Sequence, residues 1–381
     1  MNSSDNKIVH IVSFNIPYPP DYGGVMDVFY KISTLKKHGV GVILHCFSYG
    51  RSRSRTLERE CLKVHYYRRN LNLFLLARKK PFIVLSRESE KLLSDLSEDS
   101  HPIIYEGLHS TAFLGHPKLD GRMTMVRTHN IEHLYYSHLA LAEKNPIRRL
   151  FFNSEARKLE RYEPRLSEAS LLLTISPGDT EYFRSKYGHA LFIGPFHPSE
   201  ECKSLEGTGK YILLHADFST PENDASAILI LREVVSKWKY PTIIAGKRPS
   251  QSIYREASKS KHVQIIPNPS QVKMTELIQN AQICLLHASQ PTGMKLKLIN
   301  ALCSGRHIIA SEAVTSGTHL ERLCHIATLG SEWIKLADEL MKVEFAPEIK
   351  RERNNILIEI ADNNANARKI IESIINHNVH P

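Results

Sequence analysis

Short apolar runs separated by helix-length amphipathic segments recur from one end of the 381-residue chain to the other. Parallel strands buried on both faces read as continuous apolar runs, and joining them takes a crossover, so this alternation predicts an α/β architecture with parallel sheets. In the first half the expected strands are Ile8 to Phe14, Gly41 to Phe47, Pro102 to Tyr105, Met123 to Arg127 and Leu171 to Ile175. The intervening helices include Val25 to Lys37, Arg87 to Leu96 and a long one from Pro146 to Leu166. A second series begins at Tyr211 to His215 and continues with Thr242 to Ala245, His262 to Ile266, Ile283 to His287 and His307 to Ala310. The stretch GPFHPSEECKSLEGTGK between the two series has the composition of a linker. The expected division is therefore 1–195, a linker at 196–209, 210–345, and a closing helical segment at 346–381. Two doubly wound, Rossmann-like units in tandem place the carboxyl ends of their strands around a cleft, where ligands bind in such folds.

With 42% apolar and 24% charged residues, the composition is that of a soluble globular protein, and no run reaches the ~18 apolar residues of a membrane span. The opening MNSSDNKIVHIVSF lacks the features of a signal peptide, so the expected location is the cytoplasm. Six cysteines at scattered spacings, without a C-x-x-C pair, read as reduced core thiols. The net charge of +10 is concentrated: residues 51–80 hold ten Lys or Arg against Glu58 and Glu60, a local net of +8. That window lacks the aromatic interleaving of a single-strand binder, which argues against nucleic acid. Its LNLFLLARKK places apolar residues beside cations, a pattern suited to the anionic inner face of a plasma membrane, although a solvated surface carries similar charge.

Four stretches offer chemistry. After the first strand, Gly23 and Gly24 stand at the mouth of a helix, where close backbone approach and free N–H groups suit an anion; a loop that only turns the chain would also use them. RTHNIEH contains H-x-x-E-H, the spacing of inverzincin metalloproteases. A zinc site there needs His129 and His133 on one helix, whereas the β-prone MTMV places His129 just past a strand end, before the helix starts. His129 thus reads as a catalytic or substrate-binding histidine or as a packed one, and no metal is expected. Glu106 and His109 follow another strand and are candidates for the same cleft, with His133 beside them. In the second half, Lys247 and Arg248 end one strand, a further one closes at the bend around Asn268, and PTGMKLKLINALCSGRHIIAS places Thr292, Gly293, Met294 and Lys295 at a helix mouth. Backbone N–H groups from Gly293 to Lys295 with the Lys295 ammonium would suit a diphosphate. Lys297, two positions on, is expected to face solvent.

The Gly-Gly loop, the middle-strand histidine, HADFSTPENDASAILIL and GMKLKLINALCSGRHIIAS together resemble the GT-B nucleotide-sugar glycosyltransferases, most closely the retaining enzymes of glycosyltransferase family four. The resemblance spans nearly the whole chain. In that family the last stretch reads E-x7-E followed by A-x-A-x-G, which puts Thr292 and Asn300 where two glutamates stand; the family's Arg and Lys pair near the start of the second domain is absent. The resemblance implies an acceptor-binding first domain and a nucleotide-sugar-binding second domain. It also implies a final helix that crosses back to the first domain and a hexosyl transfer with retention, in cell-surface polysaccharide or lipopolysaccharide assembly. The donor nucleotide sugar would contact Gly24, Lys247, Arg248, Asn268, Thr292, Gly293, Met294, Lys295 and Asn300, with the ribose at Asn300. His129 would be catalytic, and Gly23, Glu106, His109 and His133 would contact the acceptor or sugar. The acceptor would be a glycan or lipid-linked, with no cofactor and no metal. A sugar-nucleotide epimerase of the same fold, and a non-enzymatic binder of polyanions or membrane surfaces, are the alternatives.

Overall fold

The structure, a computed structural model, describes residues 7–199 and 201–379; residue 200, in the expected linker, lies outside the described residues. The chain divides into two compact units, one of Met1–Ser137, Leu150–Pro198 and Asp362–Pro381, the other of His138–Arg149 and Ser199–Ala361. The closing segment 346–381 is shared: the Pro347–Ala361 helix belongs to the second unit and the Asn363–Val379 helix to the first.

The first unit holds a seven-stranded sheet of β1 (Ile8–Ser13), β2 (Gly41–Ser48), β3 (Lys63–Arg68), β4 (Ile103–Glu106), β5 (Thr124–Thr128), β6 (Leu171–Thr174) and β7 (Ala190–Phe192). The order is β3-β2-β1-β4-β5-β6-β7, all parallel. Successive strand side chains alternate between two cores: Val12, Phe47, Tyr105 and Val126 enter one, and Ile11, Leu44, Ile104 and Met125 the other. Burial on both faces explains why these strands read as unbroken apolar runs. The second core is closed by Val28, Ile32 and Leu35 of the Gly23–Lys37 helix together with Ala367, Ile370 and Ile374 near the chain's end.

The second unit holds a six-stranded parallel sheet of β8 (Tyr211–Asp217), β9 (Thr242–Lys247), β10 (Val263–Pro267), β11 (Ala281–Leu286), β12 (His307–Ala310) and β13 (His325–Ile326), ordered β10-β9-β8-β11-β12-β13. Ile212, Ile244, Ile283 and Ile309 pack under the fully buried Trp333, whose indole N–H donates to the Ala327 carbonyl at 3.0 Å. In each sheet the strand order reverses once, between β1 and β4 and between β8 and β11. The crevice outside the carboxyl ends at such a reversal is where open α/β sheets bind ligands.

Three strands, β3, β7 and β13, escaped the apolar-run criterion. β3 (KVHYYR) is a polar edge strand inside the basic window, while β7 and β13 span only three and two residues. The helix expected from Arg87 begins at Glu90, because Arg87 instead closes a one-turn helix, Phe82–Leu85, through the Ile83 carbonyl. The long helix ends at Tyr162 and tightens into 3-10 geometry at Glu163–Glu168, where Pro164 removes a donor. All six cysteines are unpaired, and five are buried.

The second unit is locked near its crevice by Arg353, which is 2% exposed. Its Nη1 donates to the Gly305 carbonyl at 2.6 Å and its Nη2 to the Arg306 carbonyl at 2.5 Å, so a cation caps the carboxyl end of the Leu296–Ser304 helix. Arg353→Ala strands the Arg306 carbonyl, leaves Gly305 with only the Ser204 hydroxyl, and is expected to destabilise the second unit by ~2 kcal/mol. Urea denaturation checks this; a loss below ~0.5 kcal/mol would mean that water replaces the guanidinium without penalty.

Candidate active site

The chemistry of the first unit gathers at the β1/β4 reversal. Asp27 and Lys31, one turn apart on the Gly23–Lys37 helix, are fully buried, as are Glu106 at the end of β4 and Arg127 in β5. Lys31 Nζ donates to Asp27 Oδ2 at 3.1 Å and to Glu106 Oε1 at 2.6 Å. Arg127 grips Asp27 through both carboxylate oxygens, at 3.0 and 2.7 Å, and donates to the carbonyls of Thr174, the last residue of β6, and of Ile193 and Gly194, just past β7. Two carboxylates face two cations, so the network is neutral. Burial alone pushes both carboxyls up; Arg127 and Lys31 outweigh it at Asp27, and Lys31 with His129 outweighs it at Glu106, so both stay ionised, below the ordinary range.

His129, just past β5 and outside the helix that starts at Glu132, is fixed by this network. Its Nε2 donates to Glu106 Oε2 at 3.1 Å, which sets the tautomer and leaves Nδ1 as the acceptor, without a partner among the described residues. The Phe14 ring stands edge-on to it at 5.7 Å and tilted against His109 at 5.6 Å. Gly24 makes room for that ring: a Cβ there would lie 2.7 Å from Phe14 Cζ. Gly107, at φ 69°, lets the chain turn beside both imidazoles, since a Cβ would meet His109 Nδ1 at 2.8 Å. His109 Nδ1 and both Glu132 oxygens are buried without hydrogen-bond partners among the described residues. Burial, then the nearby Arg87, holds the His109 pKa well below its ordinary value, while burial pushes Glu132 up to about 8. Gly23 opens the helix and is exposed. His133 is tied by Nδ1 to Glu163 at 2.9 Å, a carboxylate that also accepts from Tyr182, Lys186 and Tyr187.

Two groups of described residues have metal-ligand spacing, Asp27–Glu106–His129 and His45–His65–Asp95. In the first, Lys31 and Arg127 occupy the carboxylates. In the second, His45 uses one nitrogen on His10 at 2.8 Å and the other on the Tyr67 hydroxyl at 2.7 Å.

In the second unit, Lys247 ends β9 and Arg248 follows at φ 49°. The Arg248 N–H donates to Asn268 Oδ1 at 3.0 Å, so the Asn268 side chain ties the β9 and β10 ends together. Thr292 is buried, with its hydroxyl on Gln290 Oε1 at 2.6 Å, and Met294 is buried beside it. Gly293 turns at φ 70°. The helix opens at Leu296, not Gly293; its first-turn N–H groups start there, with Lys295 at the cap and its Nζ folded onto the Thr292 carbonyl. The Asn300 amide has no partner among the described residues.

Lys297 corrects the sequence reading. It is not directed to solvent: its Nζ donates to the His287 carbonyl at 2.6 Å, at the end of β11, and to Asn223 Oδ1 at 3.3 Å, on the Pro221–Glu233 helix that follows β8. Burial, partly offset by Glu222, lowers its pKa to about 8. Helical spacing correctly separates Lys295 from Lys297, but the inward face at this helix mouth is the one that meets the β8/β11 reversal.

No family model matches the chain. Among curated proteins it is similar to an uncharacterized 44.6 kDa protein in the cps region of Klebsiella pneumoniae, 23% identical over 401 residues that cover 98% of this chain and 100% of that one. Among solved structures it resembles sucrose-phosphate synthase from Thermosynechococcus elongatus, with a TM-score of 0.69 and 11% identity over 98% of this chain and 100% of that one. It also resembles the apo lipopolysaccharide outer core galactosyltransferase WaaB (TM-score 0.62, 13% identity, 96% and 99% covered) and Anabaena HepE bound to UDP and glucose (0.62, 12%, 97% and 99%). With two parallel sheets of seven and six strands flanked by helices, the fold is GT-B.

Lys31→Met leaves two buried carboxylates to one cation and is expected to destabilise the first unit by ~3–5 kcal/mol at neutral pH. Because the Glu106 pKa is depressed from 4.5, the native network's contribution is fully present above that value and is lost as pH falls through the lower folded pKa. Denaturation of the two proteins from pH 7 to pH 3 should show the gap narrowing in acid; a gap independent of pH would remove the charge explanation.

Proposed function

We propose that this chain is a glycosyltransferase that moves a hexosyl group, with retention and without a metal, from a nucleoside-diphosphate sugar to a glycan or lipid-linked acceptor in cell-surface polysaccharide assembly. The observation that carries the reading is the cationic helix mouth at the β8/β11 reversal of a GT-B frame, with Lys297 drawn onto the strand ends. In the transfer the bond from the anomeric carbon to the diphosphate oxygen breaks and negative charge grows on the leaving phosphate. The first-turn N–H groups at Leu296 and Lys297, with the Lys295 and Lys297 ammonium groups, are prepositioned donors for that charge, each worth roughly 2–4 kcal/mol of barrier. Lys247 and Arg248 add charge at the neighbouring strand end, the base lies by Ile266 to Asn268, and the free Asn300 amide takes a ribose hydroxyl. Thr292 and Met294, buried, shape the floor beneath Gly293.

On the acceptor side, His129 presents Nδ1 as an acceptor to a sugar hydroxyl, held in that tautomer by Glu106. Glu106 is a positioning residue, and His133 steadies the helix beside it through Glu163. The acceptor hydroxyl bonds to the anomeric carbon and its proton passes to the leaving phosphate. The similar protein from the Klebsiella cps region and the WaaB likeness support a surface-glycan setting. The 3-10 turn Leu73–Ala77 supports work at a membrane face: Leu73 is 73% and Phe74 85% exposed, next to Arg78, Lys79 and Lys80. Among the described residues no helix is long and apolar enough to cross a membrane.

Thermal stabilisation by a panel of nucleotide sugars identifies the donor. With that donor and an acceptor, His129→Ala is expected to lower kcat at least tenfold with donor Kd within a factor of two, and Lys297→Met to weaken the free nucleoside diphosphate at least tenfold. Turnover should persist in excess chelator. An epimerised sugar nucleotide formed without any acceptor would overturn the transfer reading in favour of an epimerase.

A further inference from the structure

Two arginines of the first unit have no acid to neutralise them. Arg87 is 6% exposed, and its Nε donates to the Phe14 carbonyl at 2.8 Å and its Nη1 to the Ile83 carbonyl at 2.6 Å. Arg69, next to the end of β3, donates from Nε to the Ser86 hydroxyl at 3.0 Å, and that hydroxyl in turn donates to the same Ile83 carbonyl at 3.2 Å. The two guanidinium groups are therefore hung from one short helix, Phe82–Leu85. Among the described residues neither has a carboxylate within ion-pair distance, and Arg87 Nη2 and both Arg69 Nη nitrogens have no hydrogen-bond partner. Tyr49 stacks under Arg69 at 4.5 Å, with Phe82 at 5.7 Å, which holds its plane while leaving its donor edge open. Burial, then repulsion by Arg69, pulls the Arg87 pKa down to about 9, and burial keeps Glu132 largely protonated at neutral pH, so that carboxyl does not offset the charge.

A buried guanidinium without a counter-charge is costly, and elsewhere in this unit the chain pairs its buried cations: Lys31 and Arg127 each meet a carboxylate. Arg69 lines an open cavity of about 420 Å³ together with Arg68, Asn70, Leu71 and Asn72, and Arg87 hangs from the same short helix behind it. The next residues in the chain, Leu73 and Phe74, form the exposed apolar turn. Planar donor edges match phosphate oxygens, and an apolar rim matches a hydrocarbon tail. Through the Phe14 carbonyl, the same arginine is linked to the residue whose ring stands against His129.

We infer that Arg69 and Arg87 bind the phosphoryl group of a lipid-linked acceptor, with the lipid leaving along Leu71, Leu73 and Phe74. This deepens the transferase reading and rests on it for the word acceptor, but phosphate binding stands or falls separately. The test uses the full-length chain and geranyl diphosphate as a soluble probe, with geraniol as its uncharged counterpart, in isothermal titration. Wild type is expected to bind the diphosphate and not the alcohol, with affinity falling at least tenfold in Arg69→Gln and in Arg87→Lys. Arg53→Gln, which removes a basic-window charge stacked on Tyr66, is expected to change it less than twofold. Should Arg87→Lys fail to fold, the partly exposed Arg69 decides alone. Lys297→Met keeps the affinity if the site is the one described; loss there instead of in Arg69→Gln places the probe in the donor crevice and overturns the inference. A second arm measures flotation with phosphatidylglycerol and phosphatidylcholine vesicles. An Arg69→Gln defect confined to phosphatidylglycerol vesicles assigns the phosphate to a bilayer headgroup and overturns the acceptor assignment, and equal behaviour of all variants in both arms overturns the site. Normal probe binding in a protein that turns over no nucleotide sugar would sink the transferase reading and leave the phosphate site intact.

Discussion

Four charges buried beneath a histidine organise the first unit. Asp27, Lys31, Glu106 and Arg127 come from one helix and two strands, and Arg127 reaches on to carbonyls at the end of β6 and past β7. A neutral cluster of this kind is seldom more stabilising than a hydrophobic replacement of equal volume. What it supplies here is direction: each donor has a specified acceptor, so the helix cannot slide along the sheet without breaking a charged contact, and the His129 ring is held at a fixed angle by the outermost carboxylate. The histidine is thus placed by groups buried behind it.

The second unit reaches its geometry differently. Its crevice is framed by backbone: the Leu296 helix mouth, the His287 carbonyl and the left-handed turns at Arg248 and Asn268. Lys297 is laid on that frame with the His287 carbonyl and the Asn223 amide oxygen as partners. Neutralised charge sets angles in the first unit, whereas Lys297 in the second is held by neutral oxygens. Net charge says little about either; what matters is whether an acid lies within reach.

Much of the frame was legible because burial on both faces of a parallel sheet forces apolar runs such as IVHIVS and AQICLL. Polar edges such as KVHYYR give no such signal, and a basic window reads as surface even when a strand runs through it. At the site, the turn after β5 and the glycine-opened first helix were readable from strand-loop-helix order, whereas the second helix opens at Leu296 and not at Gly293. The network was not. Asp27 and Lys31 stand four apart, the spacing of an ordinary exposed helix ion pair, and only their border with the Val28, Ile32 and Leu35 stripe hinted that they go inward. Lys297 was hidden for the reverse reason: its position on the helix was clear, but the element that the helix would face was not.

One connection shapes how the protein is made. Ala367, Ile370 and Ile374 complete a core begun by Val9 and Ile11, so a face of the first sheet waits for a segment made after the second unit. The second unit, whose segments end at Ala361, is complete before that. The lobe begun first is thus finished after its neighbour, and until residues 367–374 have emerged its bare apolar face is what a chaperone would meet.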